Sequence, residues 1–165
     1  MGAGKTSLGK SFSKSNNLRF VDLDQYLETK YKISITTFFS ECGEEKFREA
    51  EIESLKEVIN QFDLISLGGG SLESADSLNL IREKGTLIYV AADLDEVSNR
   101  LEDEKQKRPL LANCSNIFEV KSRLEFLLKE REANYKKADI TLYAKGKSIA
   151  SLTEELKGKL LNEKN

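Results

Sequence analysis

Apolar and polar positions follow two alternating rhythms along this chain. Short, dense apolar runs mark strands at Leu18-Arg19-Phe20-Val21, Asp63-Leu64-Ile65-Ser66-Leu67, Thr86-Leu87-Ile88-Tyr89-Val90 and over 139–143. The longer stretches between them carry helical spacing, over 6–15, 25 to about 31, 34 to about 41, 44–61, 72–84, 117–137 and 148–161. In the 44–61 stretch most of the apolar surface comes from Phe47, Ala50, Ile52, Leu55, Val58 and Ile59. Asp93 is a natural N-cap for a further helix running through Arg100. The polar segment 102–115 holds the only proline, Pro109, and reads as a mobile loop. Strand and helix alternate without an internal repeat or low-complexity linker, which predicts a single α/β domain over 1–165.

The polar features gather where strands end. In open parallel sheets ligands sit beyond the carboxyl ends of the strands, so these turns are expected to share one rim. At the start of the chain, Gly2-Ala3-Gly4-Lys5-Thr6 carries the end of G-x-x-x-x-G-K-[ST], a turn whose backbone N–H groups cradle phosphates. Consecutive N–H groups here and the positive end of the next helix favour a di- or triphosphate. Lys5 is placed to reach the β- and γ-phosphates, the Thr6 hydroxyl to ligate Mg²⁺, and Ser7 continues the loop into the helix. The first glycine of the pattern would fall two residues before Met1, and the strand that should launch the loop is not in the chain. Met1 is therefore expected to be an internal methionine or a trimmed end.

Three further elements extend the chemistry. Asp22-Leu23-Asp24 follows a strand, where alternate residues share a side; one carboxylate could serve a metal's water shell and the other an attacking hydroxyl. A turn or a helix cap accounts for such a pair equally well. Gly68-Gly69-Gly70 after a buried strand lets a ligand approach the backbone, although a tight strand–helix turn would also use glycine. Arg48, Arg108 and Arg131 could each grip an anion through a planar guanidinium, but sequence pattern alone does not separate them from solvated surface charge.

Composition narrows the field. The chain has 165 residues, 39% hydrophobic and 33% charged, with 26 basic against 28 acidic side chains, a net of −2. That balance argues against a nucleic-acid partner. Histidine is absent, so triads, His-type zinc sites and a histidine base are excluded and acid–base work falls to carboxylates, Lys or Tyr. The two cysteines, Cys42 and Cys114, have no metal-type spacing. No apolar run approaches the roughly 20 residues of a membrane span. A cytoplasmic protein without a membrane partner is expected.

Taken together, these motifs resemble shikimate kinase. The resemblance is carried in order by Gly2-Ala3-Gly4-Lys5-Thr6, Asp22-Leu23-Asp24, Gly43-Glu44-x-x-Phe47-Arg48-x-x-Glu51, Ser66-Leu67-Gly68-Gly69-Gly70, Arg108-Pro109-Leu110-Leu111 and Arg131-x-x-x-Tyr135. It implies a P-loop, nucleoside-monophosphate-kinase-like three-layer sandwich around a parallel sheet of strand order 2-3-1-4-5, with the first, central strand missing from this chain. It implies transfer of the γ-phosphate of ATP to the 3-hydroxyl of shikimate, with Mg²⁺, in aromatic amino acid biosynthesis, by a protein expected to be a monomer. On this resemblance Gly2, Ala3, Gly4, Lys5, Thr6, Ser7, Arg100 and Arg108 bind ATP, Arg100 facing the adenine, and Thr6 and Asp22 serve the metal. Asp24 binds the substrate hydroxyls and draws the proton; Arg48 and Arg131 clamp the carboxylate, helped by backbone at Gly68, Gly69 and Gly70. Phe39 and Phe47 wall the ring, Glu51 orients Arg48, the helices over about 25–61 bind substrate, and the loop at about 102–115 is a lid delivering Arg108. The alternatives are another small-molecule P-loop kinase, for gluconate or a nucleotide, and a non-catalytic nucleotide-binding relative. The former would not need the paired Arg48/Arg131 clamp with the triple glycine, and lost motif residues would mark the latter, yet Lys5, Asp24, Arg48, Gly69, Arg108 and Arg131 are all present.

Overall fold

A computed structural model describes residues 2–104 and 108–162. The order of elements is α1 (Lys5–Asn16), β1 (Phe20–Asp22), α2 (Leu23–Tyr31), α3 (Ile35–Val58), β2 (Leu64–Ser66), α4 (Ala75–Lys84), β3 (Ile88–Ala91), α5 (Leu94–Glu102), α6 (Ile117–Tyr135), β4 (Ile140–Tyr143) and α7 (Ile149–Asn162). A short 3₁₀ turn, Pro109–Leu111, interrupts the segment read as a loop, of which residues 105–107 lie outside the described residues.

All strand pairing is parallel. Phe20, Val21 and Asp22 of β1 register with Leu64, Ile65 and Ser66 of β2. Ile88 to Ala91 of β3 register with Ile140 to Tyr143 of β4. The two pairs are not hydrogen-bonded to each other, and among the described residues no strand joins β2 to β3. Between them lie apolar cavities of about 120 and 210 Å³, both lined by residues such as Leu67, Leu87, Ile88 and Val90. The pairs thus occupy the four outer positions of the expected 2-3-1-4-5 order, with its central position holding no described strand.

Local chemistry explains where the helices begin. Ser34, Ser74, Asp93 and Asn116 cap α3, α4, α5 and α6, each side chain accepting a first-turn backbone N–H. The Ser74 cap starts α4 three residues later than the apolar pattern placed it. The stretches read as two helices over 34–41 and 44–61 are two helices in α3 that meet at a kink at Gly43, whose φ of 83° and ψ of 167° are not helical. That bend is open to glycine because a side chain disfavours positive φ.

Three buried clusters hold the fold. The largest joins Leu23 and Leu27 of α2 to Phe38, Phe47, Leu55 and Val58 of α3 and to Leu78 and Ile81 of α4. A second packs Leu8 and Phe12 of α1 with Leu152 and Leu156 of α7 onto Val90, Ile140 and Leu142. The third joins Val97 and Leu101 of α5 to Leu111, Val120 and Leu124. Each fully buried leucine contributes roughly 1.5–3 kcal/mol of transfer free energy. The clusters therefore fix where the strand ends and the helix starts stand. No described helix is long and apolar enough to cross a membrane, and neither cysteine forms a disulfide.

Candidate active site

The phosphate loop is built by its backbone. Gly4 sits at the head of α1 with φ 82° and ψ 15°, and its carbonyl accepts the Leu8 N–H at 2.9 Å. This left-handed turn costs a side-chain-bearing residue roughly 1–2 kcal/mol, so glycine is the fitting choice. The geometry turns the first N–H groups of α1 outward as an anion site.

β1 ends beside that loop. Asp22 closes the strand and caps α2: Oδ1 accepts the Gln25 N–H at 3.2 Å, and Oδ2 accepts the Thr6 hydroxyl at 2.5 Å. Asp24 then falls in the first turn of α2. The expected strand geometry for this pair is thereby corrected. The two carboxylates reach one cleft because one caps a helix and the other stands in its first turn, not because they alternate along a strand. The cap and the functional reading of Asp22 are compatible.

Opposite lies the arginine face. Arg48 NH1 donates to Glu51 Oε2 at 2.8 Å and NH2 to Glu44 Oε1 at 3.0 Å. Its guanidinium also lies over the Phe47 ring, 5.3 Å from the centroid, and Phe39 packs against Phe47 at 4.6 Å. Arg131, itself buried, donates from Nε to Glu73 Oε1 at 2.5 Å. The Tyr135 hydroxyl donates to the Gly69 carbonyl at 2.6 Å and so ties α6 to the glycine turn. A Cβ at Gly70 would lie 2.3 Å from Arg48 NH2. Only glycine lets the guanidinium rest on that backbone.

These walls enclose one cleft of about 610 Å³. Gly2, Ala3, Gly4, Lys5, Thr6, Ser7, Asp22, Asp24, Phe39, Phe47, Arg48, Glu51, Gly68, Gly69, Gly70, Arg100, Arg108 and Arg131, every site residue named from sequence, line it together. Arg100 NH1 donates to the Gly2 carbonyl at 2.5 Å, beside the loop. Arg108 has a loose contact with Glu104, 3.7 Å from NH2, while its buried Nε has no hydrogen-bond partner among the described residues. A buried guanidinium N–H without a partner is a donor able to take an anion.

Electrostatics set the protonation states. Burial, then the charges of Asp22 and Glu51, push the Asp24 carboxyl up to about 6 against the pull of Lys5 and Arg108. Burial holds the Lys5 amine below its usual range, with Asp24 and Asp22 opposing and Arg108 and Arg131 adding to the effect. A bound polyphosphate would relieve both Lys5 and the arginines.

Mg²⁺ fits the donor set. The Thr6 hydroxyl gives its proton to Asp22 and keeps its lone pairs, and hard cations take hydroxyl, carboxylate-held water and phosphate oxygens. No cage of three or more acidic or cysteine ligands occurs among the described residues.

Several contributors escaped the sequence reading. Glu73 holds Arg131, and Ser71 donates to Glu51 Oε1 at 2.6 Å. Lys147 and Ser148, just ahead of α7, and Ile149 at its start complete the cleft. Ser71 follows the glycines directly, which was a signal available in sequence; the partner of Arg131 was not, being 58 residues distant in the chain.

A phosphate loop, a carboxylate at its rim and a paired-arginine anion site define a small-molecule phosphotransferase of the P-loop class. The family model described as shikimate kinase matches residues 1–161. The shikimate kinase of Chlorobium limicola is 38% identical over 160 residues, covering 94% of this chain and 80% of that protein. That of Parabacteroides distasonis is 40% identical over 145 residues, covering 87% and 83%. Among solved structures, the shikimate kinase of Bacteroides thetaiotaomicron superposes with a TM-score of 0.89 at 32% identity, over 97% of this chain and 93% of that one. The shikimate kinase of Acinetobacter baumannii in complex with shikimate gives 0.92 at 27% identity, over 99% and 90%. The chain belongs to the shikimate kinase family.

Proposed function

We propose that this protein transfers the γ-phosphoryl group of ATP to the 3-hydroxyl of shikimate, giving shikimate 3-phosphate and ADP. The observation that carries the reading is the meeting, in one cleft, of the Arg48 and Arg131 guanidinium groups, the Asp24 carboxylate and the Gly2–Thr6 loop. Such a site matches a small polyhydroxylated acid, which needs one anion clamp, acceptors for hydroxyls and little apolar wall. It also fits the complex with shikimate formed by the Acinetobacter baumannii relative.

The residues divide the work. Arg48 and Arg131 hold the carboxylate, and Phe39 with Phe47 bounds the ring. Asp24, ionised above about pH 6, accepts a hydrogen bond from the attacking hydroxyl and takes its proton. Lys5 and Arg108 neutralise charge on the phosphoryl oxygens, the dominant need in this kind of transfer. Thr6 and Asp22 would hold Mg²⁺, which when bound supplies positive charge to the phosphate oxygens. Closure by the segment carrying Arg108 would exclude water, a competing acceptor for the phosphoryl group.

The test is ATP consumption in the presence of Mg²⁺ with a panel of acceptors. Shikimate-dependent ADP release, with gluconate and nucleoside monophosphates inert, is the expected result. Turnover of either of those without turnover of shikimate would overturn the reading. Phosphorus NMR of the product would identify the phosphorylated hydroxyl.

A further inference from the structure

Every hydrogen-bonding atom of the Glu51 carboxylate is accounted for, and the accounting leads to a residue outside the cleft. Glu51 is 2% exposed and lies in the middle of α3. Its Oε2 accepts Arg48 NH1 at 2.8 Å, and its Oε1 accepts the hydroxyl of Ser71 at 2.6 Å. Ser71 is 1% exposed and does not line the substrate cleft. Its N–H donates to the Gly68 carbonyl at 3.3 Å, and its hydroxyl oxygen lies 3.1 Å from that same carbonyl, which at most shares the single hydroxyl proton.

Ser71 therefore joins two pieces of the site that come from different parts of the chain. On one side it closes the Gly68–Ser71 turn, whose Gly70 forms the floor under the Arg48 guanidinium. On the other it fixes the carboxylate that holds Arg48 from the helix side. The packing leaves little slack. A Cβ on Gly68 would lie 2.8 Å from Glu51 Oε1, 3.1 Å from Asp24 Oδ1 and 3.2 Å from Ser71 Oγ.

The other partner of Arg48, Glu44, is half-exposed and cannot substitute for this bond, because solvent competes for its contact. A buried carboxylate oxygen that loses its donor is costly to leave unpaired. Without the Ser71 hydroxyl, Glu51 Oε1 would lose its donor, and Glu51 would settle on a different orientation and carry Arg48 with it.

We infer that Ser71 is a positioning residue for the acid clamp: through Glu51 it sets the orientation in which Arg48 meets the substrate carboxylate. This rests on the reading of the cleft as a shikimate site. The role differs from general structural support in what it affects. It acts on affinity for the acid, and it leaves the phosphate loop and the phosphoryl-transfer step alone.

The experiment is steady-state kinetics of the full chain, with melting temperature recorded for each variant. Ser71→Ala should raise the KM for shikimate about tenfold, the loss of one charge-assisted hydrogen bond. Both kcat and the KM for ATP should stay within about twofold. Ser71→Thr, which keeps the hydroxyl, should recover most of the loss. In an Arg48→Ala background the Ser71→Ala change should add less than about twofold, because the guanidinium it orients is gone.

An unchanged KM for shikimate, a matching fall in kcat and ATP affinity, a Thr variant that behaves like Ala, or a full tenfold effect retained without Arg48 would each overturn the inference. If Ser71→Ala fails to fold, Ser71→Cys carries the same comparison, since a thiol is of similar shape and a weak donor. Wild-type protein with no shikimate-dependent turnover would instead bring down the functional reading beneath it. Wild-type turnover with normal Ser71→Ala kinetics would remove only the role of Ser71.

Discussion

The Thr6 hydroxyl donates to Asp22 Oδ2 at 2.5 Å, joining the first turn of α1 to the end of β1. The same aspartate caps α2 through its other oxygen. One carboxylate thus aligns the phosphate loop and the helix that carries Asp24.

That double role separates fold from chemistry. Asn is as good an N-cap as Asp, so Asp22→Asn should unfold in urea within about 0.5 kcal/mol of wild type. Its Mg²⁺-dependent turnover should nevertheless fall by about tenfold or more, with a raised Mg²⁺ requirement, because the acidic partner of the metal's shell is gone. A Mg²⁺ titration of initial rates checks this. A large stability loss with a normal Mg²⁺ curve would contradict it.

Asp24 gives the chain a pH signature. With its carboxyl held near 6, kcat/KM for shikimate should rise with pH through that value and level off above it. The sign for stability is opposite. The folded state keeps a proton that the unfolded chain releases near 3.8, so this residue's contribution falls as pH climbs from 3.8 to about 6 and is constant beyond. Asp24→Asn should therefore abolish turnover, retain ATP binding, and be more stable than wild type at pH 8 by up to about 3 kcal/mol, with the gain vanishing toward pH 4. Urea denaturation at the two pH values, beside calorimetric ATP binding, provides the measurement.

The floor under Arg48 is a steric matter. Gly70→Ala places a carbon 2.3 Å from NH2 and must displace the guanidinium. The KM for shikimate should rise at least about tenfold, while ATP affinity, which depends on the Gly2–Thr6 loop, stays within about twofold. Arg48→Lys should show the same pattern, since an ammonium group lacks the planar fork.

At Gly43 the surroundings are open: no atom lies within 4 Å of an added Cβ, and only φ of 83° opposes a side chain. Gly43→Ala should cost about 1–2 kcal/mol through backbone strain alone. Chemical denaturation measures that cost. If the helix straightens to relieve the strain, Phe39 shifts against Phe47 and shikimate binding weakens with it.

Most of the elements were legible along the chain because local physics decides them. The apolar runs at β2, β3 and β4 and the cap at Asp93 stand within a few residues of where periodicity and capping place them. The motif residues were legible too, because a phosphate loop and a triple glycine are short-range patterns. Legibility failed where two local signals competed. At Asp22 and Asp24 the strand rule predicted a shared side, while the cap had already turned the chain into α2.

What the amino-acid order determined by itself was the chemical vocabulary: a loop for phosphate, carboxylates for acid–base work in a chain with no histidine, and arginines able to grip an anion. How Arg48 and Arg131 are held was decided only in three dimensions. Arg48 and Arg131 are far apart in the chain and acquire their orientation from Glu51, Ser71, Glu73 and the bare backbone of Gly70. Those contacts arise when α3, α6 and the glycine turn pack together. A local pattern records a residue's conformational preference but not the partner that packing will bring to it.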